Sequence, residues 1–318
     1  MKNFKSILFF LLVILTVSCN NENNNSFPLH NKKVLILGNS ITQHGRYVDF
    51  IEYYLRKSYP EKKLDIISIG LSSETASGDS EPEHSFPRPW IHSRLDNALK
   101  ATTPDLVIAC YGMNDGIYSA KEDSRFNNYK EGILKLKAKV NNAGAEFILL
   151  TPTVFDAEAA KSRLAKDNEP QSYKHPYYDY NQVLKDYSNW LSTIEDTKVI
   201  NLHSYLSHEL KSLKSKYPDS TFIPDAVHPN LIGHFYMAKK VLSDLYPEIY
   251  IGNAVSEIEK LENDSLFLLA SQRRYIRSTG WLNYIGYSRE KIVKSDDISP
   301  TVKTVKALDL KITELLTN

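Results

Sequence analysis

Short apolar runs alternate with amphipathic stretches along most of the chain. Residues 34–37, 64–69, 105–110, 146–150 and 198–202 are near-continuous apolar segments of strand length. Between them, residues 47–59 have a helical pattern. Tyr129, Ile133, Leu136 and Val140 recur at helical spacing, with Gly144 as a stop, and Leu231, Phe235, Ala238, Leu242 and Leu245 form a further stripe. Strands apolar on both faces, separated by helices, predict a parallel sheet covered on both sides.

Right-handed crossovers then give a doubly wound, flavodoxin-like three-layer α/β/α sandwich with a mostly parallel five-stranded sheet. From about residue 251 the pattern becomes helical throughout. Ile258, Leu261, Leu266 and Leu269, then Val305, Leu308, Ile312 and Leu315, read as helices, with Pro300 near a helix start. No further strand is expected there, and residues 251–318 read as a helical appendage on a domain spanning 32–250.

Polar blocks stand where the predicted strands end. Gly38-Asn39-Ser40-Ile41 follows the first strand and Gly70 the second. Gly112-Met113-Asn114-Asp115 follows the third, and Asp225-Ala226-Val227-His228 precedes a helix. Ligands of doubly wound sheets bind at the carboxyl ends of the strands, so these distant blocks converge on one rim. A serine hydroxyl needs a base to become a nucleophile, and an Asp/His pair three residues apart can supply one. The backbone N–H groups of Ser40 and Gly70 and the Asn114 amide are candidate oxyanion donors. Each block alone is ordinary turn chemistry; their joint order is what points to acyl transfer.

This constellation resembles the SGNH hydrolase superfamily, also called GDSL-type esterases and lipases. The resemblance implies Ser40 as nucleophile, Gly70 and Asn114 as oxyanion donors with the Ser40 N–H, and Asp225 and His228 as the rest of a catalytic triad. One departure is Asn39, where the family block usually has Asp. The chemistry implied needs no metal or organic cofactor.

Composition narrows the class further. The chain has 318 residues, 42% of them hydrophobic, and a formal net charge of +1. That balance gives no case for nucleic acid as a partner. Zinc-type Cys/His spacings and phosphate-loop glycine patterns are absent. Lys2 and Lys5 precede an apolar run, 7–17, too short for an ordinary membrane span. It ends in Leu15-Thr16-Val17-Ser18-Cys19, which resembles a bacterial lipobox, with Thr16 where Leu is usual. Residues 1–18 therefore read as a signal peptide and Cys19 as a lipidation site. Residues 19–31 are then a flexible polar tether, rich in Asn. The expected location is the bacterial cell envelope, with membrane attachment through Cys19. Cys110, inside an apolar run, is expected to be a buried thiol.

Residues 71–90 form a long polar loop beside the expected site. Within it and beside Ser40, Asn39, Glu74, Arg88 and Trp90 are candidate substrate contacts. Tyr173, His175, Tyr177, Tyr178 and Tyr180 cluster after the fourth strand and could stack on sugar or pack a helix. A polar rim on an exported esterase fits short acyl groups on carbohydrate, and the resemblance extends to bacterial sugar acetylesterases. The expected function is acetyl-ester hydrolysis on an acylated carbohydrate. The rivals are a lipid-directed esterase, thioesterase or lysophospholipase, and a non-catalytic glycan-binding lipoprotein.

Overall fold

The computed structural model describes residues 28–317. Cys19, the signal segment and most of the proposed tether lie outside the described residues. The chain runs β1 (Lys33–Gly38), α1 (Ser40–His44), α2 (Arg46–Ser58), β2 (Asp65–Ser68), α3 (Leu95–Thr102), β3 (Leu106–Cys110), α4 (Asp123–Asn142) and β4 (Glu146–Leu150). It continues through α5 (Tyr180–Leu191), β5 (Lys198–Ile200), α6 (Leu202–Lys216), α7 (Leu231–Leu245), α8 (Ala254–Leu261) and α9 (Ser265–Ile285). The small strands β6 (Tyr287–Arg289) and β7 (Lys291–Val293) and the helix α10 (Ser299–Thr317) complete it.

Among the described residues the main sheet has five strands in the order β2-β1-β3-β4-β5, all parallel. Alternate residues of each strand feed opposite faces. Val34, Ile36, Leu106, Ile108, Ile148 and Leu150 enter one core, shared with α2, α7 and α8. Leu35, Leu37, Val107, Ala109, Phe147 and Leu149 enter the other, shared with α3, α4 and α5. Burying each such aliphatic side chain is worth about 1.5–3 kcal/mol, which explains why the strands read as unbroken apolar runs. The thiol of Cys110 lies in the first core, and burial pushes it up to about 12.

The chain reverses direction across the sheet between β1 and β3. Their carboxyl ends therefore open a crevice at the switch point. Ser40 follows β1 there, and the 112–115 block follows β3.

Two sequence expectations need correction. Leu202 was placed in the fifth strand but opens α6, because the Asn201 side chain caps that helix by accepting from the Ser204 N–H at 2.8 Å. Leu202 is buried in the same core either way, so its hydrophobicity does not distinguish strand from helix. The C-terminal region, expected to be wholly helical, also contains the antiparallel β6–β7 hairpin. Its strands are too short for a readable period, and the turn residue Glu290 has φ 57°.

The C-terminal helices join the two cores. Phe267 at the start of α9 enters the first core, and Leu282 and Ile285 at its end enter the second. Between them, Arg277 pairs with Asp65 on β2. This path runs α9 along the edge strand β2, shielding an edge that would otherwise be open to pairing.

Candidate active site

Ser40 stands at the start of α1. Asn39 caps that helix, its side chain accepting from the Ile41 N–H at 3.1 Å. The turn is tight: a Cβ at position 38 would lie 2.3 Å from the Thr42 hydroxyl oxygen. The Ser40 hydroxyl lies 2.8 Å from His228 Nε2, and His228 Nδ1 lies 2.7 Å from Asp225 Oδ2. An ionised carboxylate only accepts, so Nδ1 carries the proton. Nε2 is then the acceptor and the Ser40 hydroxyl donates to it.

The Asp225–His228 turn is held locally. Asp225 Oδ1 accepts from the N–H groups of His228 at 2.7 Å and Val227 at 3.0 Å. Ala226 between them is left-handed, with φ 74°. That conformation costs a non-glycine residue about 1–2 kcal/mol, and it folds the two side chains toward each other. Burial alone would raise the Asp225 carboxyl, but the His228 side chain and the two backbone donors outweigh it. The carboxyl is held well below the usual carboxylate range, so it stays ionised and fixes the imidazole tautomer. Arg163 closes this side, donating to the carbonyls of Asp225 and Tyr173, each at 2.7 Å.

Gly70 packs directly on the α1 turn. A Cβ there would lie 2.3 Å from Gln43 N, 2.5 Å from Thr42 C and 2.7 Å from Asn39 O. All three are backbone atoms that cannot swing aside. Gly70→Ala is therefore expected to displace the Ser40 turn and lower ester turnover at least about tenfold, since misplacing a reacting group by about 1 Å can cost 10²-fold. Steady-state kinetics of the folded variant check this; wild-type kcat/KM would mean the turn tolerates the shift.

Asn114 is buried. Its amide nitrogen donates to the Glu74 carbonyl at 3.1 Å, and its amide oxygen accepts from the Tyr118 hydroxyl at 3.0 Å. Asp115 anchors the same block. It accepts from the N–H groups of Ala76 at 2.7 Å, Ser77 at 2.9 Å and Gly112 at 2.8 Å. Burial raises its carboxyl to about 6, against the opposing pull of these donors.

The four residues nominated for substrate contact lie mostly inward. Asn39 is the helix cap described above. The Glu74 carboxylate is fully buried, held by Arg94 at 2.7 Å through two nitrogens and by the Tyr111 hydroxyl at 2.7 Å. Arg88 is buried in a bidentate pair with Glu81, at 2.6 and 2.7 Å. Its guanidinium lies over the Tyr118 and Tyr173 rings, at 5.6 and 6.0 Å from their centroids. Trp90 is partly exposed, and its indole N–H donates to the Ala76 carbonyl at 3.0 Å. It walls a cavity of about 440 Å³ between the 71–94 segment and the β6–β7 hairpin, whose lining includes Leu71 and Glu74 but not Ser40. Sequence placed this loop as a solvent-facing rim; its charges instead find one another inside, because buried charges persist only when paired.

Tyr118, Arg163 and Asp115 were not assigned roles from sequence. Only Asp115 carried a signal, its place in the 112–115 block. Tyr118 and Arg163 sit in stretches with no periodic pattern.

The profile of the GDSL-like lipase/acylhydrolase family matches residues 36–234. The protein is thus an esterase-class hydrolase by family, and the chain belongs to the GDSL-like lipase/acylhydrolase family. No curated protein sequence matches it. Among solved structures it is similar to a gut microbial diltiazem-metabolizing enzyme, with 20% identity and a TM-score of 0.51. That overlay covers 67% of this chain and 46% of the other, so this chain spans under half that structure's length. A catalytic mutant of the acetylxylan esterase Axe2 from Geobacillus stearothermophilus shares 20% identity over 70% of this chain and 98% of its own, with TM-score 0.48. The acetyl xylan esterase AlAXEase shares 18% identity over 67% of this chain and 99% of its own, with TM-score 0.47.

Proposed function

We propose that this protein is a serine esterase that removes short acyl groups, chiefly acetyl, from carbohydrate. The observation that carries the proposal is the hydrogen-bonded line Ser40–His228–Asp225 at the switch-point crevice. In this reading His228 Nε2 takes the Ser40 proton as Oγ bonds to the ester carbonyl carbon. The Ser40 and Gly70 N–H groups and the Asn114 amide stabilise the oxyanion. Collapse breaks the bond to the alcohol oxygen, which leaves with the proton from His228. Water, deprotonated by His228, then attacks the acyl-serine, and the carboxylic acid departs as Ser40 regains its proton. Each oxyanion donor is worth about 2.7–4 kcal/mol in such a reaction.

Two features support a carbohydrate substrate over a lipid chain. The site is open: the His228 and Asp225 side chains are 46% and 56% exposed, so a polymer can approach it. The 171–179 segment packs beside it, through the Tyr177 N–H donating to the Tyr118 carbonyl and Arg163 bridging Tyr173 and Asp225. This segment leaves Tyr178 exposed, a flat face suited to a sugar ring. The lipobox-like segment supports an envelope location with a lipid tether at Cys19, which holds the enzyme where polymeric glycans are met.

Acyl release from aryl esters of increasing chain length is the test. Acetate is expected to exceed octanoate in kcat/KM by at least about tenfold, the discrimination a few methylenes give. A preference for octanoate would move the proposal to lipids.

A further inference from the structure

We infer that Tyr118 is a positioning residue for the oxyanion donor Asn114, and that the buried Arg88–Glu81 pair holds it there. The inference rests on the acyl-transfer role proposed for Asn114. The Glu74 carbonyl can only accept, so the Asn114 amide must turn its nitrogen toward it. That places the amide oxygen toward the Tyr118 hydroxyl, which donates to it. One amide N–H is used by Glu74, and the second is left for the substrate oxyanion. Donation into the amide oxygen also polarises the amide and strengthens its remaining N–H as a donor.

The two anchors are themselves immobilised. Glu74 is pinned by Arg94 and Tyr111. Tyr118 is a buried left-handed residue, φ 56°, following Ile117 at φ 52°. Two successive non-glycine residues in that region need outside support. The support comes from the Arg88 guanidinium over the Tyr118 ring and from the Tyr177 N–H donating to the Tyr118 carbonyl at 2.8 Å. Arg88 is in turn fixed by the two hydrogen bonds it donates to the Glu81 carboxylate. The 71–94 segment thus acts on the site through Glu74 and, by way of Arg88, through Tyr118. Its buried charges set the angle of one amide, rather than reaching out to substrate.

The test is Tyr118→Phe, which keeps the ring and removes only the hydroxyl, assayed on an aryl acetate alone and combined with Asn114→Ala. In the wild-type background kcat/KM is expected to fall about tenfold, the upper range for one hydrogen bond. In the Asn114→Ala background Tyr118→Phe is expected to change nothing further, because the group it orients is gone. A general loosening of the fold would lower activity equally in both backgrounds. Equal losses, or no loss in the wild-type background, would overturn the inference. Ser40→Ala, run alongside, separates the two claims: wild-type turnover there overturns the proposed function and this inference with it. Loss of turnover there, with additive Tyr118 and Asn114 effects, overturns the inference alone.

Discussion

Ser40→Ala is expected to lower turnover of an aryl acetate on the order of 10⁶-fold while leaving the fold unchanged. The hydroxyl is the group positioned on His228 Nε2, and the imidazole is committed to it by the Asp225 carboxylate behind. In the proposed mechanism, removing the hydroxyl removes the bond-forming atom, so no acyl-enzyme forms. What remains is whatever the oxyanion donors and binding can do for a direct attack by water, which in related chemistry is about 10³–10⁴ over the uncatalysed rate. The stability cost is small because His228 is half exposed and water replaces the lost bond. Such surface changes stay within about 0.5 kcal/mol. The measurement is single-turnover acyl release by the purified variant, with its unfolding midpoint as a control. Wild-type turnover by a folded Ser40→Ala variant would end the acyl-serine mechanism.

The parts of this site legible in the sequence are those built from local turn chemistry at strand ends. Ser40, Asn114 and the Asp225–His228 pair each follow from a short block whose neighbours set its shape. The central strands were legible because β1, β3 and β4 are buried on both faces and leave unbroken apolar runs. The supporting shell was not legible. Glu74 with Arg94, Arg88 with Glu81 and Tyr118 with Asn114 are contacts between loop residues with no period, and a charged loop side chain looks alike whether it faces water or a partner. Two unanticipated helices differ in cause: α5 buries a broad face, including Val183, Leu184, Tyr187 and Leu191, but begins inside the stretch read as an aromatic cluster, whereas α6 buries a small one. The helix α6 buries Leu202, His203 and Leu206 within its first turns, then presents lysines and serines. The hairpin β6–β7 failed for want of length.

Arg274→Ala is expected to destabilise the protein by about 3–5 kcal/mol, the cost of leaving a buried charge without its partner. Arg274 on α9 donates to both oxygens of Asp49 on α2, at 2.6 and 3.0 Å, and the Asp49 side chain has no exposed surface. Arg46 reaches Asp49 only at 3.4 Å from a more exposed position and cannot compensate fully. The adjacent Arg273 makes the same kind of contact with buried Glu52 at 3.1 Å. Arg274 also packs on Gly45, where an added Cβ would lie 2.8 Å from its Nη1. Gly45 ends α1, the helix that begins with Ser40. The C-terminal helices are thereby tied to the element that carries the proposed nucleophile, and shortening the chain before α9 would leave Asp49 and Glu52 to Arg46 and Arg56 alone. Urea unfolding of Arg274→Ala reads the effect. Replacing both partners, Asp49→Leu with Arg274→Met, is expected to restore most of the stability, since an apolar pair pays no desolvation. A loss below about 1 kcal/mol for the single variant would show that water or Arg46 satisfies Asp49 without Arg274.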